Sequence, residues 1–294
     1  MLKIERIVCP VDFSEYAARA YEYAYSLARH YEAKLYLEHV IPVLAATYPY
    51  YNFPEVAAAS LYMDLSQSAQ QRLREMTGRY AGRGVQTETV VHKGFVPDSI
   101  LAFARENHAD LIVMGTHGRR GLDRLVMGSV TESVLRRSPC PVLAVRKPEH
   151  SFVDPQLPEE PVHVQRILFC ADFSASSLHA LPYALSFAQE YQAELTLLHV
   201  LEDLPQEDSE NKKEEMRKEL LAPIPPETLA WCTVKPMLRA GKAYVQIIQA
   251  AAEQQTDLVV MGVRGGGVAD LSVFGSTAHR VIQLGPCPVL AVHT

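Results

Sequence analysis

Apolar residues along the chain fall into short continuous blocks, separated by longer stretches in which they recur every three or four positions. The short blocks read as buried strands and the longer ones as amphipathic helices. Ile4–Val11 is the first block. Ser14 then offers an N-cap to a helix carrying Ala17, Ala20, Tyr21, Ala24, Leu27, Ala28 and Tyr31 on one face. Lys34–Val40 predicts a second strand, a helix follows from about Glu55 to Arg79, and Val85–His92 alternates as a third strand. Pro97, at a first helical position, opens a helix ending near Asn107. Leu111–Met114, a helix ending near Arg137, and Val142–Val145 complete the set. The same order returns as Ile167–Ala171, Leu178–Tyr191, Glu194–Val200, Thr233–Leu238, Val245–Gln254, Leu258–Met261, Ala278–Leu284 and Val289–Val292.

The return is literal. Ile7–Val40 laid on Ile167–Val200 gives 15 identities in 34 positions at an offset of 160, and Asp110–Val145 on Asp257–Val292 gives 18 in 36 at an offset of 147. The chain is therefore a tandem duplication whose second copy is 13 residues shorter in between. Pro148, Pro155, Pro158 and Pro161, mixed with acidic residues, mark an extended linker. The expected domains are 1–147 and 166–294, joined by 148–165. The charged run Glu202–Glu219 in the second variable connection reads as a solvated loop and helix.

Strands alternating with helices imply parallel strands, and continuous apolar strands imply a sheet covered on both faces. Each half is expected to be an α/β domain with an open, doubly wound sheet. Composition agrees: 48% hydrophobic and 21% charged residues describe an ordinary globular protein. A net charge of -6 supplies no basic footprint, which argues against nucleic acid as a partner. The absence of a long apolar run argues against a membrane span, and a cytoplasmic location is expected. Five scattered cysteines, Cys9, Cys140, Cys170, Cys232 and Cys287, suggest neither a disulfide framework nor a zinc site, and Cys140 and Cys287, in matching Pro-Cys-Pro-Val contexts, read as small buried residues.

The chemistry concentrates at the ends of strands. Asp12, Val40 and Gly115 each close one, and in an open parallel sheet such ends share an edge where ligands bind. After Gly115 the sequence runs to Gly118, Gly128 and Ser129 with the spacing G-x2-G-x9-G-S, repeated at Gly262, Gly265, Gly275 and Ser276. Glycines at those points are expected to admit positive φ and let backbone N–H groups approach anionic oxygens. Ser129 adds a hydroxyl and the positive end of a helix. Asp12 is open to several roles: a ribose contact, a backbone contact to a base, a neighbour of a phosphate-bound divalent cation, or a helix cap. His39 and His199 read as packing residues beneath strand ends, since no partner ligands accompany them.

On Val11-Asp12-Phe13-Ser14, His39-Val40, the Gly115 to Ser129 spacing and Pro139-Cys140-Pro141-Val142, the chain resembles a universal stress protein in its tandem, two-domain form. The resemblance implies, in each half, a five-stranded parallel sheet between helices, Rossmann-like and of the adenine nucleotide-binding type. It implies the ATP-binding branch, with Mg or Mn as the accompanying cation. Carried over by position, Val11, Asp12 and Val40 would meet the adenosine of the first domain. Gly115, Gly118, Gly128, Ser129 and Val130 would hold its ribose and phosphates. The second set is Ala171, Asp172, Val200, Gly262, Gly265, Gly275, Ser276 and Thr277. Arg119, Arg120 and Arg124 join only the first set, because Gly266, Gly267 and Leu271 replace them in the second. Charge-assisted bonds from arginine favour a triphosphate in the first pocket. The family also implies pairing of Val142–Val145 with Val289–Val292 in an intramolecular pseudo-dimer, and a further homodimer is consistent with it.

Three functions compete at this point. The chain is a nucleotide-binding stress regulator whose conformation or assembly follows ATP occupancy, a slow ATPase or self-phosphorylating enzyme, or a structural tandem with non-functional pockets. Dedicated catalysis is not expected, because no Walker lysine and no acid/base pair recurs in both copies.

Overall fold

The computed structural model describes residues 3–43, 55–117, 127–146, 151–153, 160–202, 210–263 and 274–293. They group into two compact units, 3–140 with 160–161, and 141–153 with 162–293.

In the first unit, Asp12 and Ser14 set up α1 (Glu15–His30) after β1 (Arg6–Pro10). The Ser14 side chain accepts from the Ala17 N–H, and the helix buries Ala17, Ala20, Tyr21, Ala24, Leu27 and Ala28 of the predicted face against the sheet, while Tyr31 stands at the C-cap and is half-buried. β2 (Lys34–Pro42), α2 (Glu55–Gly78), β3 (Thr87–Gly94), α3 (Val96–Glu106), β4 (Leu111–Gly115) and α4 (Ser129–Arg137) follow. The strands lie parallel in the order β3, β2, β1, β4. The order reverses between β1 and β4, which makes their C-terminal ends the crevice where a doubly wound sheet takes ligands.

The second unit repeats the pattern with β6 (Arg166–Cys170), α5 (Ala175–Tyr191), β7 (Glu194–Leu201), α6 (Glu210–Leu221), β8 (Val234–Ala240), α7 (Ala243–Glu253), β9 (Leu258–Gly262), α8 (Ser276–Leu284) and β10 (Val289–Val292). These five strands are parallel in the order β10, β9, β6, β7, β8. β5 (Val142–Val145) closes the first sequence repeat, yet it belongs to the second unit, where Leu143 lies opposite Leu290 in an antiparallel pair with β10. An apolar edge is thereby covered.

Two carboxylates fasten the N-terminal ends of central strands. Asp110 Oδ2 accepts from the Glu5 and Arg6 N–H groups at 2.9 Å, and Asp257 Oδ2 accepts from Gln165 and Arg166 at 2.8 and 2.9 Å. Those aspartates recur for architectural reasons. The described part of the linker is more than a tether: Phe152, Val153, Val162 and Val164 are buried, and 161–165 alternate between exposed and buried as an extended chain does. No described helix is long and apolar enough to cross a membrane.

Candidate functional site

Asp12 and Ser14 build a tight turn at the end of β1. Asp12 Oδ1 accepts from the Ser14 N–H at 3.0 Å, and the residue between them, Phe13, takes a left-handed φ of 64°. The second copy reproduces it: Asp172 Oδ1 accepts from Ser174 N–H at 3.0 Å and from its hydroxyl at 2.5 Å, with Phe173 at φ 59°. A left-handed phenylalanine costs on the order of 1 kcal/mol or more and persists where its surroundings hold it. His39 does part of that holding. Its Nδ1–H donates to the Val11 carbonyl at 2.7 Å while its ring packs on Phe13 with centroids 4.5 Å apart. His199 donates to Ala171 at 2.8 Å and packs on Phe173 at 4.7 Å. Both histidines are thus turn supports, as expected of residues beneath strand ends. Val40, at the end of β2, is buried, and Val200 is half-buried.

The physical role expected of two glycines needs correction. A Cβ on Gly115 would lie 2.9 Å from the Tyr16 backbone, and one on Gly262 would lie 2.7 Å from the Ser176 carbonyl carbon. These residues are small so that the first turn of α1 or α5 can approach the end of β4 or β9. Positive φ is not the reason for the later pair either, since Gly128 and Gly275 have φ of -63° and -59°. Each instead closes its loop at the base: Gly128 N–H donates to Thr116 O, and Gly275 N–H to Val263 O, both at 2.9 Å.

Closing the loop in this way delivers a helix start to the strand end. α4 and α8 begin at Ser129 and Ser276 with glycine at the N-cap and no side-chain capping bond. The N–H groups of a helix's first turn lack intrahelical partners and carry the positive end of its dipole. Ser129 and Ser276 are exposed, followed by half-buried Val130 and Thr277. Thr131 additionally ties α4 to β4 by donating to Gly115 O at 2.9 Å, a bond that Ala278 cannot make in the other copy. Gly118, Arg119, Arg120, Arg124 and Gly265 lie outside the described residues.

One buried group escaped the reading of the sequence. Glu38, in the middle of β2, is fully buried and neither carboxyl oxygen has a hydrogen-bond partner among the described residues; His92 Nε2 is 3.8 Å from Oε1. Burial pushes the carboxyl up to about 8. The signal lay in the alignment, where Leu198 holds the matching place. Cys140 and Cys287 are buried, as expected, and so are Cys9, Cys170 and Cys232; burial pushes the Cys140 and Cys287 thiols up to about 12.

The fold and this repeated corner define a duplicated, doubly wound α/β protein with one strand-end crevice per repeat. The Universal stress protein family profile matches residues 3–146 and 163–293, and the chain belongs to that family in tandem form. It is 34% identical over 146 residues to a universal stress protein of Methanocaldococcus jannaschii, covering 49% of this chain and 84% of that one. It is 30% identical over 145 residues to one from Bacillus subtilis, covering 48% and 98%. Such relatives correspond in length to a single repeat. A universal stress protein of Archaeoglobus fulgidus shares the fold over nearly the whole chain, with TM-score 0.72, 22% identity and coverage of 98% and 96%.

Proposed function

We propose that this universal stress protein binds an adenine nucleotide at each repeat, and that occupancy sets its conformation or assembly in the stress response. One observation carries the reading: in both copies an uncapped helix N-terminus with an exposed serine is brought to the same sheet edge as a braced Asp-Phe-Ser turn. The first feature suits phosphates and the second suits the nucleoside. Val11, Asp12, Val40, Gly128, Ser129 and Val130 are the contacts assigned to the first site. Ala171, Asp172, Val200, Gly275, Ser276 and Thr277 are their counterparts. Gly115 and Gly262 act from behind, by letting α1 and α5 settle against the strand ends. Mg or Mn would arrive with the phosphates, because no group of three His, Cys, Asp or Glu able to hold a metal exists among the described residues.

Glutamate at the first helical position is compatible with a helix start but repels phosphate. Ser129→Glu and Ser276→Glu therefore test each site without disturbing the packed glycines. Each single variant should lose about one molar equivalent of bound ATP in equilibrium dialysis, and the double variant should bind none. Undiminished stoichiometry in the double variant refutes the assignment. A denaturing mass spectrum of protein purified without added nucleotide gives an independent reading, with co-purified ATP the expected species.

A further inference from the structure

Among the described residues, a cation stacks on the turn of the first repeat and not on that of the second. Arg72, on α2, places its guanidinium 4.0 Å from the centre of the Phe13 ring. Phe13 packs at 4.5 Å on His39, which bonds to the Val11 carbonyl at 2.7 Å. Arg72 and His39 thus both pack against Phe13, the histidine ring tilted by 38°, and the His39 bond ends on the backbone that precedes Asp12. In the second repeat Phe173 packs on His199 in the same way, but the neighbouring helix contributes the buried Leu220, which with Phe173 lines a cavity of only about 20 Å³. The strained turn thus has a cation–π contact in the first copy and an aliphatic side chain lining the space beside it in the second.

We propose that Arg72 is a positioning residue for the first nucleotide site: by clamping left-handed Phe13 against His39, it holds Val11 and Asp12 in the conformation that receives the nucleoside. The proposal rests on the nucleotide reading above. Its physical content is separate, however, because the clamp acts on the turn whether or not a ligand is present. Arg72 reaches the site through the Phe13 face, so its role is to restrict the turn. A guanidinium over an aromatic face is worth enough to change such an equilibrium about tenfold.

The test uses the full chain carrying Ser276→Glu, so that ATP with excess Mg2+ reports on the first site. Arg72→Ala should weaken ATP binding about tenfold and speed hydrogen exchange at the Ser14 amide, the donor to Asp12. Arg72→Lys keeps a cation over the ring, and Arg72→Leu copies the Leu220 solution; both should stay within roughly threefold of the parent in affinity and retain slow exchange. Unchanged affinity and exchange in Arg72→Ala would overturn the clamp. So would loss of affinity in both Arg72→Ala and Arg72→Leu with exchange unchanged, which would make Arg72 a simple attractor of phosphate. Should the parent bind no ATP, the nucleotide reading falls while exchange at Ser14 still decides the clamp: acceleration in Arg72→Ala supports it, and no change overturns it.

Discussion

Gly115 lies so close to Tyr16 that a Cβ on the glycine would meet the tyrosine's backbone carbonyl carbon at 2.9 Å. Backbone atoms of a helix cannot swing aside as a side chain can, so even a methyl group must push α1 from the end of β4. Gly115→Ala should destabilise the first unit by about 1–3 kcal/mol, the usual cost of overpacking, and Gly262→Ala the second by a similar amount. Hydrogen exchange resolved by unit reads this directly. Full stability in either variant would return these glycines to a ligand-contacting role. A larger substitution such as Gly115→Asp would therefore report on folding before it reported on nucleotide.

Glu38 makes the stability of the first unit depend on pH. Its carboxyl goes from the ordinary value of 4.5 to about 8 on folding, because burial penalises its charge. The folded state keeps the proton over a range in which the unfolded state has lost it. The contribution is therefore fully present below about pH 4.5 and is lost as pH rises through 8. Glu38→Leu, which copies Leu198 of the second repeat, should remove that dependence. Between pH 5 and pH 9 the parent should lose more stability in its β2 amides than the variant does, by at most roughly 5 kcal/mol. Parallel pH profiles for the two proteins would contradict the assignment. The readout must be local, since the single tryptophan, Trp231, belongs to the other unit.

The fold was legible because its cause is repeated in the chain. Apolar blocks of strand length, Ser14 as an N-cap, and Pro97 early in α3 each act within a few residues, so period and capping chemistry locate them. The reasons behind individual site residues were less legible, because they depend on what lies across the sheet. Gly115 reads as a phosphate-loop glycine until Tyr16, nearly one hundred positions earlier, is placed against it. Phe13 reads as one more apolar residue until its φ of 64° is known. Glu38 was visible only as a mismatch with Leu198, and burial turned the mismatch into chemistry. The share of β5 in the second unit came from strand pairing, which local periodicity does not encode.

The thiols should be silent in the folded protein. Thiolate is the reactive form, and burial raises Cys9, Cys140, Cys170, Cys232 and Cys287 above the ordinary thiol range. At pH 7.5, a maleimide or disulfide reagent should label none of the five within minutes, and all of them after denaturation. Rapid stoichiometric labelling of Cys140 or Cys287 in native protein would show that the Pro-Cys-Pro segments open far more often than their burial implies.

The two copies also differ in the loop between Gly115 and Gly128, and that difference yields a test of nucleotide preference. The first loop carries Arg119, Arg120 and Arg124 where the second has Gly266, Gly267 and Leu271. A γ-phosphate adds charge that arginine can meet with short, charge-assisted bonds, whereas glycine has only its backbone N–H to offer. If the first site favours ATP for this reason, the triple variant Arg119→Gly, Arg120→Gly, Arg124→Leu should lose affinity for ATP by about 10- to 100-fold, equivalent to one or two charge-assisted bonds, while ADP and AMP change less. The Ser276→Glu background confines the measurement to the first site. Raising salt should narrow the gap between parent and variant, because the lost contribution is electrostatic. An equal loss for all three nucleotides would place the arginines on the nucleoside or the loop fold, and no loss for any would remove the asymmetry between the two repeats.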